Sequence, residues 1–110
     1  VFEIEHIFAR KRQENEKSLS STKKLESLGN KALLEKKINI RASDYRFEDK
    51  IKYYKGFTND KGQVKDGTKI IELVNLANSK SDYTESDINN RDEAIIDTFI
   101  EFLKKNNLTK

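Results

Sequence analysis

The chain has 110 residues, 35% hydrophobic and 37% charged, with 22 Lys and Arg against 19 Asp and Glu and a formal net charge of +3 at pH 7. Charge this well balanced argues for a folded domain with a thin core rather than a disordered one, and no apolar run nears the ~18 residues that cross a bilayer. Zero Cys and a single His exclude disulfides, thiol catalysis, Cys-ligated zinc and multi-His metal clusters.

Phe2 and Ile4 alternate with Glu3 and Glu5, which is strand period and predicts a strand over residues 1–6. Residues 9–21 are polar, include Arg10, Lys11 and Arg12, and read as loop with some helix. Residues 22–28 suit a short helix stopped by Gly29, a residue that takes the left-handed conformation after a helix. Residues 30–35 read as a second short strand and residues 36–42 as a helix. Phe47, Ile51 and Tyr54 are spaced i, i+4, i+7, predicting a helix over 46–55 with one apolar face. Residues 56–67, with Asn59-Asp60-Lys61-Gly62 and Asp66-Gly67, read as loop. Thr68 is placed to cap a helix running to about Asn78, with Ile70, Leu73, Val74 and Ala77 on one face. Thr84 and Asp87 resemble a capping box for the longest helix, about 85–105. Its expected inward face is Ile88, Ile95, Phe99 and Leu103, widened by Ile96, Ile100 and Phe102.

The basic bias is modest and sits early: residues 1–60 carry 14 basic and 10 acidic side chains, residues 61–110 carry 8 and 9. Such a bias alone describes a solvated lysine-rich surface as well as a nucleic-acid footprint. There is no phosphate-binding glycine loop, since Gly67-Thr68-Lys69 lacks the preceding glycine and strand. The chain holds no Met and starts within a strand pattern, so we expect a piece of a longer protein. Lack of cysteine and of a visible signal peptide leads us to expect a cytoplasmic location.

A lone His is by itself an ordinary surface or structural residue. Its company changes the reading. Glu5 precedes His6 at a strand end, Leu28-Gly29-Asn30-Lys31-Ala32-Leu33-Leu34 follows 22 residues later, and Asn39 lies nine beyond Asn30. Glu5-His6-Ile7, Leu28-Gly29-Asn30-x-x-Leu33-Leu34 and Asn39 resemble, in order and spacing, the ββα-metal core of HNH, or His-Me finger, endonucleases. The variety most similar is the C-terminal nuclease domain of GmrSD-type restriction systems. Weaker similarity continues through Phe47 and Lys50 and through Tyr83-Thr84-Glu85 and Ile88-x-x-Arg91. Two positions depart from the pattern: Ala9 stands where the family has Pro, and Lys31 where it has a hydrophobic residue.

The resemblance implies an α+β fold, with a small ββα-metal core made of a short antiparallel strand pair plus a helix, and additional C-terminal helices. It is expected to form one domain over 1–110, with the core in about 1–43 and a helical remainder in about 44–110. It further implies metal-dependent cleavage or nicking of DNA by a domain of a prokaryotic restriction or phage-defence protein. His6 would be the general base and Glu5 and Asn39 ligands of a divalent metal, Mg²⁺ or Mn²⁺. Asn30 would orient the loop between the strands by hydrogen bonds, or simply open a strand. The chemistry is coherent, because a neutral imidazole takes a proton from water near pH 7 and a hard cation prefers oxygen ligands. Glu5 and His6 share a site only if the strand ends or twists there, since neighbours on a regular strand point to opposite faces. Arg10, Lys11, Arg12, Lys31, Lys36, Lys37, Arg41, Lys50 and Arg91 are the candidate nucleic-acid contacts. Tyr53 and Tyr54 suit base stacking, Tyr54 also the core. Partners are DNA and other domains of the parent protein, with no membrane and no small-molecule cofactor. The alternatives are a non-catalytic nucleic-acid-binding module on a decayed core, or a helical protein-interaction domain.

Overall fold

A computed structural model describes residues 1–108. The fold is α+β, with two small antiparallel strand pairs and five α-helices. β1 (Phe2–His6) pairs with β2 (Lys31–Glu35) in a register that sets Phe2 opposite Glu35 and His6 opposite Lys31. α2 (Lys36–Ala42) follows β2 without a loop, so β1, β2 and α2 form a ββα unit. It ends at Ser43, whose φ of 48° and ψ of −140° turn the chain sharply. Such a conformation costs a non-glycine residue about 1–3 kcal/mol.

α1 (Arg10–Glu16) occupies the stretch expected to be mostly loop, and two 3₁₀ turns, Thr22–Glu26 and Leu28–Asn30, lead into β2. The expectation for Gly29 fails in its reason. Gly29 does not take a positive φ; it is small because α5 lies on it, and a Cβ there would come within 2.0 Å of the Ile88 carbonyl oxygen. Asn30 closes the second 3₁₀ turn instead of opening the strand. Ala9 holds φ at −73°, the value a proline ring would impose, so the departure at this position leaves the turn intact.

α3 (Phe47–Lys55) carries Glu48 and Asp49 in its first turn and Lys52 and Lys55 in its last, matching the helix dipole at both ends. Residues 56–67 are not plain loop: β3 (Gly56–Thr58) and β4 (Val64–Asp66) form a hairpin. α4 (Ile71–Ser79) starts later than expected, because the Thr68 hydroxyl accepts from the Ile70 backbone N–H at 3.0 Å and donates to Glu35 at 2.5 Å instead of capping the helix. α5 (Glu85–Lys105) has the expected bounds, and the Asp87 carboxylate accepts from the Thr84 N–H at 2.8 Å.

The core is Ile7, Phe8, Leu34, Ile38, Ala42, Phe47, Tyr54, Leu73, Tyr83 and Ile88 with their neighbours. Phe47 stands at its centre, 6.3 Å from the Tyr54 ring and 5.8 Å from that of Tyr83. The expected inward face of α5 is correct only at its start. Ile88 is buried, whereas Ile96, Phe99 and Phe102 are each more than half exposed. α5 spans about 31 Å at 1.5 Å per residue, and its second half runs beyond the core in a molecule measuring 59 × 31 × 25 Å. Among the described residues no helix is long and apolar enough to cross a membrane.

Candidate active site

His6 is the last residue of β1, and there the chain leaves the strand for a bend at Ile7 and Phe8. That ending lets both neighbours line one cleft. Ile4, Glu5, His6, Arg10, Asn39, Ile40, Ser43, Asp44 and Lys50 surround a volume of about 320 Å³. A larger hollow of about 610 Å³ lies along α3 between Tyr45 and Gly56, and it holds none of the three residues singled out for chemistry.

The two neighbours sit in different surroundings. Glu5 is 3% exposed, and its Oε2 accepts from Lys50 Nζ at 3.1 Å and from the Tyr54 hydroxyl at 2.6 Å. Lys50 Nζ also donates to the His6 carbonyl oxygen at 2.7 Å. Burial lowers the Lys50 pKa, and the Glu5 charge acts against that shift. Burial beside the same carboxylate pushes the Tyr54 hydroxyl well above its ordinary value, so it stays a donor.

The His6 ring is half-buried, with Nε2 3.2 Å from Glu26 Oε1. A carboxylate only accepts, so Nε2 is the donor, and in the neutral tautomer that this contact selects Nδ1 keeps the lone pair. Glu26 also receives Arg10 and the Lys31 ammonium, the latter at 2.9 Å. The hydrogen bond from Lys31, with smaller help from His6 and Arg10, lowers the Glu26 pKa and keeps it ionised. On α2, the Asn39 Nδ2 donates to Glu3 Oε1 at 2.9 Å, which leaves Oδ1 as the acceptor of that amide.

Asn30 is fully buried and lies behind the cleft. Its Oδ1 accepts from the Phe8 N–H at 2.7 Å, and its Nδ2 donates to the carbonyls of Phe8 at 3.0 Å and Leu25 at 3.1 Å. The Asn30 carbonyl in turn accepts from the Ile7 N–H at 3.0 Å. The segment before β2 is pinned from its other side by α5. The Asp92 carboxylate accepts from the Ser27 hydroxyl and from the Gly29 N–H at 2.5 Å, and the Tyr83 hydroxyl donates to the Gly29 carbonyl at 2.6 Å.

The candidate phosphate contacts divide. Arg10 lines the cleft, and Lys11 is exposed with Glu14 at 3.5 Å. Lys36, Lys37 and Arg41 line a different hollow, shared with Lys65 and Lys69 of the β3–β4 region, and Asn39 is not part of it. Three of the nine are not free to meet a phosphate. Arg12 is buried, bonded to Asp82 at 2.7 and 3.0 Å and stacked 4.4 Å from the Phe8 ring centre. Lys50 is 1% exposed inside the Glu5 network. Arg91 clamps the carbonyls of Leu28 and Lys31 at 2.8 and 2.6 Å and Glu72 at 2.8 and 2.9 Å. Tyr54 is likewise committed to the core and to Glu5, while Tyr53 stacks on Tyr45 with ring centres 6.0 Å apart.

Sequence reasoning missed Glu26 and Asp44. Glu26 lies 20 residues from His6 in a 3₁₀ turn with no local signature. Asp44 reaches the cleft rim only because Ser43 adopts its strained turn.

Among the described residues no group of three or more His, Cys, Asp and Glu side chains is arranged to hold a metal. Glu5 and the Asn39 amide place two oxygen donors on the cleft, the ligand type that a hard cation prefers.

No curated protein and no solved structure matches this chain. Residues 1–98 match the family model described as GmrSD restriction endonucleases, C-terminal domain. That match covers the ββα unit, α3 with Lys50 and Tyr54, and the first two thirds of α5, and the chain accordingly belongs to the family of C-terminal domains of GmrSD restriction endonucleases.

Proposed function

We propose that this domain hydrolyses phosphodiester bonds in DNA by an HNH-type, metal-dependent mechanism, as the cutting or nicking part of a restriction or phage-defence protein. The observation that carries the reading is the shared cleft: Glu5, His6 and Asn39, drawn from a strand end and a helix, line one opening together with Arg10. His6 accepts a proton from the attacking water at Nδ1, because Glu26 holds the Nε2 proton. Glu5 and the Asn39 Oδ1 would hold a divalent cation, Mg²⁺ or Mn²⁺. That ion, when bound, neutralises charge on the phosphate and stabilises the leaving oxygen. Arg10 sits at the mouth to meet phosphate, with Lys11 and Lys31 flanking it. Asn30 does its work from behind, by holding Phe8 and so the bend that follows His6.

The test is plasmid nicking across a Mg²⁺ and a Mn²⁺ titration. His6→Ala is expected to slow cleavage by about 10²–10⁴-fold while metal and DNA binding survive. Asn39→Ala is expected to lose metal affinity and activity together. Cleavage at the parent rate by His6→Ala removes the general base from this scheme, and rescue of His6→Ala alone by excess metal exchanges the two roles.

A further inference from the structure

Lys50 and Tyr54 lie one helical turn apart on α3, and both reach across to the end of β1. Lys50 lines the cleft at only 1% exposure, and Tyr54 is fully buried. Both donors arrive on the same oxygen, Glu5 Oε2, and among the described residues no hydrogen bond reaches Oε1. The same ammonium takes the carbonyl of the next residue, His6, at 2.7 Å. An ammonium is a compact point donor with three N–H bonds, which lets one side chain hold a carboxylate and an adjacent main-chain oxygen.

We propose that Lys50 and Tyr54 are positioning residues, which fasten Glu5 by Oε2 so that it offers Oε1 alone to a divalent cation, and which fasten the His6 main chain so that its imidazole stays on the same cleft. The proposal rests on the reading of Glu5 as a metal ligand. It answers the difficulty that neighbours on a strand face opposite ways. Lys50 bonds the side chain of one and the backbone of the other, fixing their relative direction where β1 stops. Both donors on a single carboxylate oxygen leave the other as the only ligand atom, so Glu5 binds through one oxygen. Asp44, also facing Lys50 across the cleft, adds a second carboxylate to the field of the ammonium. Hydrogen-bond partners of a ligating carboxylate affect metal affinity by about 10–100-fold when removed.

The experiment uses the whole chain, with Lys50→Met, which keeps the apolar stem, and Tyr54→Phe, which keeps the ring in the core. Mn²⁺ affinity is measured by titration below the melting temperature of each variant, with Glu5→Gln as reference, and metal-free crystal structures are solved in parallel. Lys50→Met is expected to bind Mn²⁺ about 10–100-fold more weakly, and Tyr54→Phe several-fold more weakly with little change in melting. A purely structural pair would lower melting and leave the affinity of the folded variant unchanged, so parent-like Mn²⁺ affinity in Tyr54→Phe and Lys50→Met overturns the proposal. If Lys50→Met does not fold, Tyr54→Phe decides alone. If Glu5→Gln binds Mn²⁺ as the parent does, the metal reading fails. The crystals then judge the clamp: Glu5 and His6 displaced in the variants uphold it, and unmoved side chains overturn it.

Discussion

The inner and outer walls of the cleft are built by different physics. The inner wall is Glu5, Lys50, Tyr54 and, behind the bend, Asn30, all buried and all hydrogen-bonded to groups that water does not reach. The outer wall is His6 and Arg10, tied together with Lys31 to Glu26, a carboxylate that is about half exposed, by a hydrogen bond and two ion pairs. Buried polar bonds are costly to break, because each abandoned partner stays desolvated. Exposed ion pairs give little net stability and weaken with salt. The contrast shows where this fold is rigid and where it is adjustable: the Glu5 side is locked, and the His6 ring sits in a network that solvent can enter.

The hardest way to break the inner wall is Gly29→Ala. A Cβ there meets the Ile88 carbonyl at 2.0 Å and the Asp92 N–H at 2.9 Å, both backbone, so α5 must lift off the segment that carries Asn30. Chemical denaturation is expected to show a loss of about 3 kcal/mol or more, beyond the usual range for one added methyl. A loss under 1 kcal/mol would mean that α5 does not seat on the loop.

Glu26→Gln sharpens the contrast from the other side. It removes the charge on which His6, Arg10 and Lys31 converge, yet melting temperature is expected to stay at the parent value. Nicking activity should fall several-fold, because the amide no longer dictates which ring nitrogen of His6 carries the proton. A marked drop in melting with activity unchanged would invert the assignment of the two walls.

The smallest effect concerns acid. Arg12, a buried residue of α1, holds the Asp82 carboxyl below its ordinary value through the hydrogen bonds it donates. A carboxyl whose folded pKa is depressed contributes stability above its unfolded pKa, and that contribution fades as pH falls through the folded value. Melting of the parent should therefore decline as pH drops below about 4, and Asp82→Asn should flatten part of that decline while costing stability at pH 7. Identical acid limbs in parent and variant would show that Arg12 is held by Glu16 alone.

The same contrast explains what could be read in the sequence. The ββα unit was legible because strand alternation over 2–6, the segment 28–34 and a helix after it are local patterns. α5 was legible in extent and illegible in burial. Its apolar spacing is the same along its whole length, yet only the first turns find a partner in the described fold, since periodicity reports a helix and not what faces it. The β3–β4 hairpin hid in a Gly- and Asp-rich stretch, where three-residue strands give no alternation to detect. In the candidate site, Glu5, His6 and Asn39 were singled out by the resemblance of their order and spacing to HNH endonucleases, but their hydrogen-bond partners could not be. Lys50 meets Glu5 across 45 residues and Glu26 meets His6 across 20, and nothing in a one-dimensional pattern joins them. Arg12 and Arg91 were indistinguishable from surface cations for the same reason.

The seat of α5 on the segment before β2 also fixes an order of assembly. Asn30 takes its place under Phe8 in a loop pinned by Tyr83, Arg91 and Asp92, residues 54 to 63 positions later in the chain. Closing a loop of that size costs roughly 3.6 kcal/mol in its length-dependent entropy. At about 5–20 residues per second of synthesis, some 3–12 s separate the making of Asn30 from that of Asp92. During that interval Glu5, His6, Asn39 and the residues that hold the bend behind His6, Asn30 and Lys50, already exist as chain, but the loop that carries Asn30 lacks its support from α5. The cleft therefore takes its final shape only when a helix translated long after it docks against Gly29.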